Sequence, residues 1–176
     1  FKYSVCSYVV SLLRPEIIRD LELKKFGFEL LIRDPSSFSP YPGGRYLMFH
    51  QDIKKTCEEI AKFSKKDALE YPRFEREVEK LSHFVQPLLM DFPPNLLSNS
   101  VEDMWSSMKF MLKTRRLGND LYEQIRIFSL SVADYLDQWF ESEELKVRLA
   151  TDGIIGAWAG PRTPGTAYVL FHHVMG

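Results

Sequence analysis

The sequence predicts an α+β fold that is mostly helical, with one small antiparallel sheet covered by helices. Apolar residues recur at helical spacing along most of the chain after residue 52, whereas aromatic and aliphatic runs typical of strands are confined to about residues 28–49. A length of 176 residues and an apolar fraction of 45% favour a folded segment over disorder. Because no long linker interrupts the chain, we expect one unit over residues 1–176.

The first predicted helix begins with Pro15 and ends before Gly27, which are favoured residues for a first helical turn and a C-terminal cap. Four aliphatic residues give this helix one face that we expect to be buried: Ile17, Ile18, Leu21 and Leu23.

Two short strands are predicted next, over residues 28–33 and 45–49. Phe38 is expected on a further short strand, and Pro42-Gly43-Gly44 is a strong turn signal before the second predicted strand. The sheet is therefore either small or shared with residues outside this sequence.

Helices dominate the remaining chain. Asp52 and Ser64 are predicted N-caps, and Ser100 with Asp103 has the spacing of a capping box. Pro72 and Pro87 are expected to kink or divide the long helix after Ser64, because proline removes a backbone donor. Its predicted apolar face is Leu69, Phe74, Val78, Leu81, Phe84, Val85 and Leu88. Further helices are predicted within residues 121–140 and from Ser142 onward.

The charge balance excludes some classes of partner. With 23 basic and 24 acidic residues the net charge is −1, so the chain lacks the basic excess typical of nucleic-acid binding. Cys6 and Cys57 are far apart, which predicts a reducing compartment and no disulfide framework. No apolar run reaches the roughly twenty residues of a transmembrane helix.

No familiar cofactor or catalytic motif occurs in the chain: GxGxxG, GxxxxGK[ST], HExxH and GxSxG are all absent. Glu141, Glu143 and Glu144 are typical of an acidic first turn of a helix rather than of a catalytic carboxylate cluster. Met104, Met108 and Met111 have helical spacing, which indicates either core packing or a pliable apolar wall for a ligand.

His172 and His173 are the candidate catalytic residues. Adjacent helical residues point about 100° apart, so the pair cannot chelate one metal ion, and no metal site is predicted. Structural histidines are one interpretation. The other is that one imidazole faces a cofactor pocket as a hydrogen-bond donor.

Arg162 and Thr163 are the candidate cofactor-binding residues. They lie in a loop with Gly156, Gly160 and Gly165, in which Thr163-Pro164 is expected to cap and start the next helix. A helix N-terminus beside an arginine can face an anion or an electron-rich ring. The alternative is a tight turn between two helices.

Three stretches carry a resemblance to a known family. CSYVVSLLRPEIIRDLELKKFGFEL at residues 6–30, IAKFSKKDALEYPRFE at 60–75, and residues 136–176 resemble the phytoene-desaturase-like, amine-oxidase-like class of FAD-dependent oxidoreductases. The similarity extends through nearly the whole chain and is loosest over about residues 93–127.

The resemblance implies a fragment of a two-domain flavoprotein, with 1–176 as one partial substrate domain truncated at both ends. The Rossmann-type FAD domain would be absent from this chain, so we expect FAD in the intact protein and none bound by these residues alone. The expected partners are that missing domain and a small, apolar organic substrate, at an intracellular, mitochondrial location. The alternatives are a non-enzymatic helical interaction module and a flavoprotein relative that has lost turnover.

Overall fold

A computed structural model describes residues 10, 13–85, 95, 100–115 and 119–174. Their regular elements are mostly helices, in the chain order α1 Pro15–Asp20, β1 Ser37–Pro40, β2 Tyr46–Phe49, α2 Ile53–Ala61, α3 Lys65–Val85, α4 Val101–Arg115, α5 Asn119–Ser129, α6 Val132–Asp137, α7 Glu143–Asp152 and α8 Thr166–Val174. The predicted fold class, mostly helical with a small antiparallel sheet, is confirmed.

The sheet of the described residues is a two-stranded antiparallel hairpin. Ser37 pairs with Phe49 and Pro40 with Tyr46. The turn at Pro42–Gly44 is confirmed, with both glycines at positive φ. Phe38 lies on β1 as predicted, but the strand predicted over residues 28–33 is wrong. Those residues have aromatic and aliphatic side chains, but within the described part of the chain no neighbouring strand pairs with their backbone.

The N-terminal segment differs from the prediction in length and burial. Helix α1 ends at Asp20, because Glu22 adopts a left-handed φ of 50°, and a short 3₁₀ helix, Leu23–Phe26, precedes Gly27. Gly27 caps this turn at a φ of 85°. The predicted buried face is wrong, since Ile17 and Leu21 are exposed.

The predicted helix starts are confirmed where side chains cap the first turn. Asp52 accepts from the Lys54 amide at 2.9 Å, and Ser64 accepts from the Asp67 amide at 3.1 Å. Ser100 accepts from the Asp103 amide at 3.1 Å before α4. Pro72 does not divide α3, which is assigned as one helix from Lys65 to Val85. The predictions for Pro87 and Leu88 lie outside the described residues, as does Cys6.

The core contains a cluster of aromatic rings between α3, α6 and α8. The Phe74 ring lies 4.9 Å from Phe140, 5.6 Å from Trp139 and 6.0 Å from Tyr135, measured between centroids. Tyr135 also contacts Phe171 edge to face. Such edge-on arrangements are the favoured geometry for packed aromatic side chains. Phe74 and Val78 are buried as predicted, but Leu69 is exposed, contrary to the prediction.

A buried carboxylate joins the start of α3 to the start of α7. Asp67 is 0% exposed. Its two oxygens accept from the Glu141 amide at 3.0 Å, the Ser142 amide at 2.8 Å and the Ser142 hydroxyl at 2.6 Å. These three donors replace water around the carboxylate, so its burial does not leave the charge unsatisfied.

Helix α4 contradicts the prediction that its methionines form core. Met104, Met108 and Met111 are all exposed, and so is Trp105. None of the helices that the structure describes is both long and apolar enough to cross a bilayer.

Candidate functional site

The loop between α7 and α8 is held by backbone hydrogen bonds. Gly160 and Thr163 form a reciprocal pair: the Thr163 amide donates to the Gly160 carbonyl at 2.9 Å, and the Gly160 amide donates to Thr163 Oγ1 at 3.2 Å. The Pro161 carbonyl accepts from the Ala133 amide of α6 at 2.9 Å. The candidate Thr163 is therefore part of a tight turn, which is the alternative that the sequence left open.

Thr166, rather than Thr163, starts the last helix, so the prediction that Thr163-Pro164 caps and opens it is wrong. The buried Thr166 hydroxyl donates to the Thr163 carbonyl at 2.7 Å and accepts from the Val132 amide at 2.9 Å. A single hydroxyl thus connects the loop, α8 and the start of α6. No sequence pattern signals this role, because Val132 is distant along the chain.

The amides at the start of α8 are already used within the protein. Those of Gly165 and Ala167 donate to the Leu130 carbonyl, that of Thr166 to Thr163, and that of Tyr168 to Gly165. An anion at this helix end would have to displace these bonds. Any contact from this loop to a cofactor therefore depends on side chains, chiefly Arg162.

Arg162 is an exposed, charged residue among the candidates. Its Nη1 lies 3.8 Å from carboxylate oxygens of Asp134 and of Asp137, both on α6, and its side chain is 74% exposed. Exposed ion pairs of this kind contribute little to stability. The guanidinium is consequently able to leave these partners for a ligand or another protein surface.

His173 lies in a polar cluster formed by Ser37, Arg148, Asp152 and His173, which we call the α7–α8 cluster. Asp152 accepts from Arg148 Nη1 at 2.8 Å, and Arg148 Nε donates to Ser37 Oγ at 2.9 Å. His173 Nε2 lies 3.8 Å from Asp152 Oδ1, beyond hydrogen-bond distance. The guanidinium of Arg148 also lies 5.1 Å from the centre of the Phe49 ring.

The α7–α8 cluster fixes a carboxylate beside a half-buried imidazole. Arg148 donates to the other oxygen of Asp152, Oδ2. This hydrogen bond fixes the orientation of the carboxylate that faces His173. An imidazole that faces a fixed carboxylate has the arrangement of a side chain that can transfer a proton to or from a bound ligand. This is the chemistry that the cluster can perform with its own residues.

His172 has different surroundings from His173. Its ring lies 6.1 Å from the Tyr168 ring, which in turn meets Phe128 edge to face at 5.2 Å. Its Nδ1 is buried with no hydrogen-bond partner among the described residues. The two histidines thus contact separate partners, as their adjacent positions on a helix predict. Among the described residues, no group of three or more His, Cys, Asp or Glu side chains is arranged to hold a metal ion.

A second histidine–carboxylate pair was missed by the sequence analysis. His50 Nδ1 lies 3.1 Å from Asp34 Oδ1, and the same oxygen accepts from the Gln51 amide at 3.2 Å. The pairing of β1 with β2 brings these residues together. Ser36, two residues after Asp34, donates to the carbonyl of Phe49, the residue before His50. No motif spacing identifies such a pair; only the strand register does.

Glu141 and Cys57, which the sequence also singled out, have the surroundings of structural rather than catalytic residues. Hydrogen bonds from Lys66 and Ser64 hold the pKa of Glu141 below its usual range. Burial, with the nearby Glu75 charge, raises the pKa of the Cys57 thiol, so it is not an activated nucleophile at neutral pH. Burial likewise raises the pKa of Tyr135.

The described residues do not fit a dinucleotide. Within that part of the chain no glycine-rich phosphate loop follows either strand, and the amides at the start of α8 are occupied. A flavin dinucleotide would have to be bound mainly by residues other than the described ones.

The comparisons with known proteins point first to a class and then to a particular relative. The names of the matching curated proteins describe oxidoreductases of the pyridine nucleotide-disulfide type. Pyridine nucleotide-disulfide oxidoreductase domain-containing protein 2 of Rattus norvegicus is 40% identical over 190 aligned positions, and the Mus musculus protein of the same name is 42% identical over 190.

Each alignment includes 100% of this chain and 33% of the relative, so the chain spans about a third of the length of these curated relatives. The whole-chain similarity confirms the resemblance of this sequence to oxidoreductases. No protein-family model and no solved structure matches the chain.

Proposed function

We propose that these residues are the substrate-domain region of a two-domain FAD-dependent oxidoreductase. The observation that carries the proposal is the identity of 40% and 42% across the whole chain to relatives named as oxidoreductases. The intact protein would pass a hydride or electrons between an organic substrate and FAD. The bound flavin supplies the redox chemistry, and the protein supplies binding and orientation.

The separate roles of the two domains follow from the residues that this chain contains. It has no GxGxxG motif, and its described residues do not fit a dinucleotide. The chain's contribution is instead the surface formed by the α7–α8 loop and the α7–α8 cluster. There Arg162 offers an exposed positive charge and His173 an imidazole beside a carboxylate.

Flavin binding is the first test. The natural protein containing these 176 residues should be yellow when purified, with the visible absorbance typical of oxidised flavin, and should bleach on reduction. A correctly folded natural protein that neither copurifies with FAD nor binds added FAD would contradict the proposal. A protein that binds FAD but turns over no substrate would support the alternative of a flavoprotein relative without activity.

The role of His173 is tested separately. We expect His173→Ala to lower turnover about 100-fold, the lower range for a proton-transfer residue, while flavin content stays unchanged. His173→Gln, which keeps a hydrogen-bonding group but cannot transfer a proton, should lose as much turnover as His173→Ala.

His172→Ala is the matched comparison, because His172 contacts Tyr168 rather than Asp152. Equal losses in both variants would indicate a general effect on α8 instead. Arg162→Ala should raise KM if the guanidinium contacts substrate or cofactor, and Thr163→Ala should mainly lower stability. Unchanged flavin spectrum and turnover in all these variants would remove the site from the proposal.

The resemblance also favours an apolar substrate and a mitochondrial location. Cell fractionation of the natural protein tests the location. The rival function, a helical interaction module without catalysis, is favoured by one observation, the exposed apolar face of α4. It predicts partner binding that does not depend on flavin.

A further inference from the structure

Helix α4 has an apolar face that is exposed along its length. Six side chains form this face, which we call the α4 stripe: Val101, Met104, Trp105, Met108, Met111 and Leu112. At 100° per residue they fall within one arc about 120° wide. Their exposed fractions range from 42% for Met108 to 83% for Val101. The stripe is thus a continuous surface rather than scattered apolar residues.

The half-buried residues of α4 lie on a different face from the stripe. Within residues 101–112 they are Asp103, Ser107 and Phe110, which lie about 40° to 100° beyond one edge of the stripe's arc. An amphipathic helix on a folded protein normally turns its apolar face inward. Because α4 turns its apolar residues outward, the stripe has the composition of an interface.

The size of the stripe suits a protein contact. Six such side chains expose on the order of several hundred Å² in each copy, more than the scattered apolar surface of most monomers. Two stripes in contact could bury about 1,000 Å² in total, the lower limit for a specific interface. Methionine adapts to the opposing surface, and tryptophan is a common anchor of such contacts.

We propose that the α4 stripe binds the α4 stripe of a second copy of this chain, with the two helices antiparallel. The charged residues beside the stripe favour a second copy of this chain as the binding partner. Glu102 and Lys109 lie on the same flank, two helical turns apart, and Lys109 also lies 5.6 Å from the centre of the Trp105 ring.

When two α4 helices pair antiparallel about a two-fold axis, the flank with Glu102 and Lys109 on one helix lies beside the same flank of the other helix. Glu102 of each copy then lies beside Lys109 of the other when the axis crosses near residues 105–106, close to the middle of the stripe. A parallel pair would instead place this flank against the other flank of the partner helix, where Ser107 lies, so neither charge would gain an opposite one. The charge pattern is therefore self-complementary in the antiparallel orientation.

The first test is the association state of the natural protein that contains these residues. Sedimentation velocity across the micromolar range should show a dimer. Trp105→Glu and Met108→Glu should each raise its dissociation constant at least about 10-fold, as expected when a buried interface anchor is replaced by a charge. Val147→Glu is the matched control, because Val147 is an exposed apolar residue on α7, and it should leave the dimer unchanged.

Charge exchange tests the orientation. Glu102→Lys alone and Lys109→Glu alone should each weaken the dimer about 3-fold at low salt, the effect of an exposed ion pair. The double exchange should restore wild-type affinity. An equimolar mixture of the two single variants should form a mixed dimer, because every pair in it joins opposite charges.

Circular dichroism distinguishes a lost interface from a lost fold, since substitutions at exposed positions should leave the helical content unchanged. A natural protein that stays monomeric at high micromolar concentration overturns the proposal. If Trp105 is then shielded from acrylamide quenching, judged against a Trp105→Phe variant, the protein's own further residues cover the stripe. A dimer that survives Trp105→Glu, or a double exchange that restores nothing, also overturns it.

Discussion

Two regions of the protein differ in whether their apolar residues are buried or exposed. Around α3, α6 and α8 the aromatic rings pack against one another, and Phe74 and Tyr135 are buried. In the N-terminal segment over residues 13–33, Phe26, Leu31 and Ile32 are each more than 80% exposed, at 84%, 81% and 85%. Both regions are rich in apolar side chains, so composition does not distinguish them.

The difference lies in long-range polar contacts. The packed region contains Asp67, whose carboxylate joins α3 to the start of α7, and Thr166, whose hydroxyl joins α8 to α6. In the N-terminal segment the described hydrogen bonds connect near neighbours, such as Lys25 with Glu22, except at its last residue, where the Arg33 carbonyl accepts from Gln51 Nε2 at 3.2 Å. Burial thus follows where distant parts of the chain are fixed together, and an exposed apolar segment marks a surface available to another protein or domain.

The largest expected effect comes from breaking the aromatic core. Phe74→Ala should lower the free energy of unfolding by about 3–5 kcal/mol, because it removes a ring that contacts Trp139 and Phe140 and leaves a cavity. Urea denaturation followed by circular dichroism measures this change. Leu31→Ala is the control, and it should alter stability by less than about 0.5 kcal/mol, since Leu31 is exposed. Equal losses would show that the N-terminal segment is packed in solution.

The next effect concerns the buried carboxylate. Asp67→Ala leaves the amides of Glu141 and Ser142 without their acceptor, which should cost roughly 2–4 kcal/mol of unfolding free energy. Asp67→Asn keeps one carbonyl oxygen and should lose less. Glu77→Ala, at an exposed position of the same helix, provides the control in the same urea titration. If the alanine and asparagine variants are both as stable as the wild type, Asp67 does not connect α3 to α7.

The starts of α2, α3 and α4 could be predicted from the sequence because capping is local. Asp52, Ser64 and Ser100 each accept from an amide two or three residues later, so neighbouring residues contain all the needed information. The strand predicted over residues 28–33 failed for the opposite reason. A strand needs a partner to accept its hydrogen bonds, and residue type alone does not supply one.

The candidate site shows the same limit. Spacing on a helix predicted that His172 and His173 face different surroundings, and the structure agrees. It could not predict that Asp152 lies beside His173, or that Arg148 bonds to Ser37, because those contacts depend on how α7, α8 and the hairpin pack. Burial of Asp67 was equally hidden, since a carboxylate in a first helical turn is usually exposed.

A smaller effect tests the packing of α6 against the end of α7. A Cβ atom on Gly153 would lie 2.6 Å from Val132 Cγ2, so Gly153→Ala should cost about 1–3 kcal/mol through overpacking. Adding Val132→Gly removes both methyl groups and the Val132 Cβ, which would lie 2.7 Å from the new atom, so the combined loss should be smaller than the sum of the two single losses. Gly160→Ala serves as the control, because its nearest neighbour, Thr163 Oγ1, is 4.0 Å away. Strictly additive losses in thermal unfolding would exclude the close contact.

The smallest effect is a pH dependence at the junction of α3 and α7. Hydrogen bonds from Lys66 and Ser64 lower the pKa of Glu141 from 4.5, its ordinary value, which also applies to the unfolded chain. A group whose pKa is lower in the folded state stabilises the fold fully above its unfolded pKa, and this contribution disappears as the pH falls through the folded pKa. The melting temperature of Glu141→Gln should therefore lie slightly below that of the wild type at about pH 6 to 7, and the two temperatures should converge as the pH falls below 4.5 and through the lowered pKa of the folded state. Glu58→Gln, at an exposed position on α2, is the control for the substitution itself. A difference that persists unchanged to low pH would mean that Glu141 acts through the shape of its side chain and not through its charge.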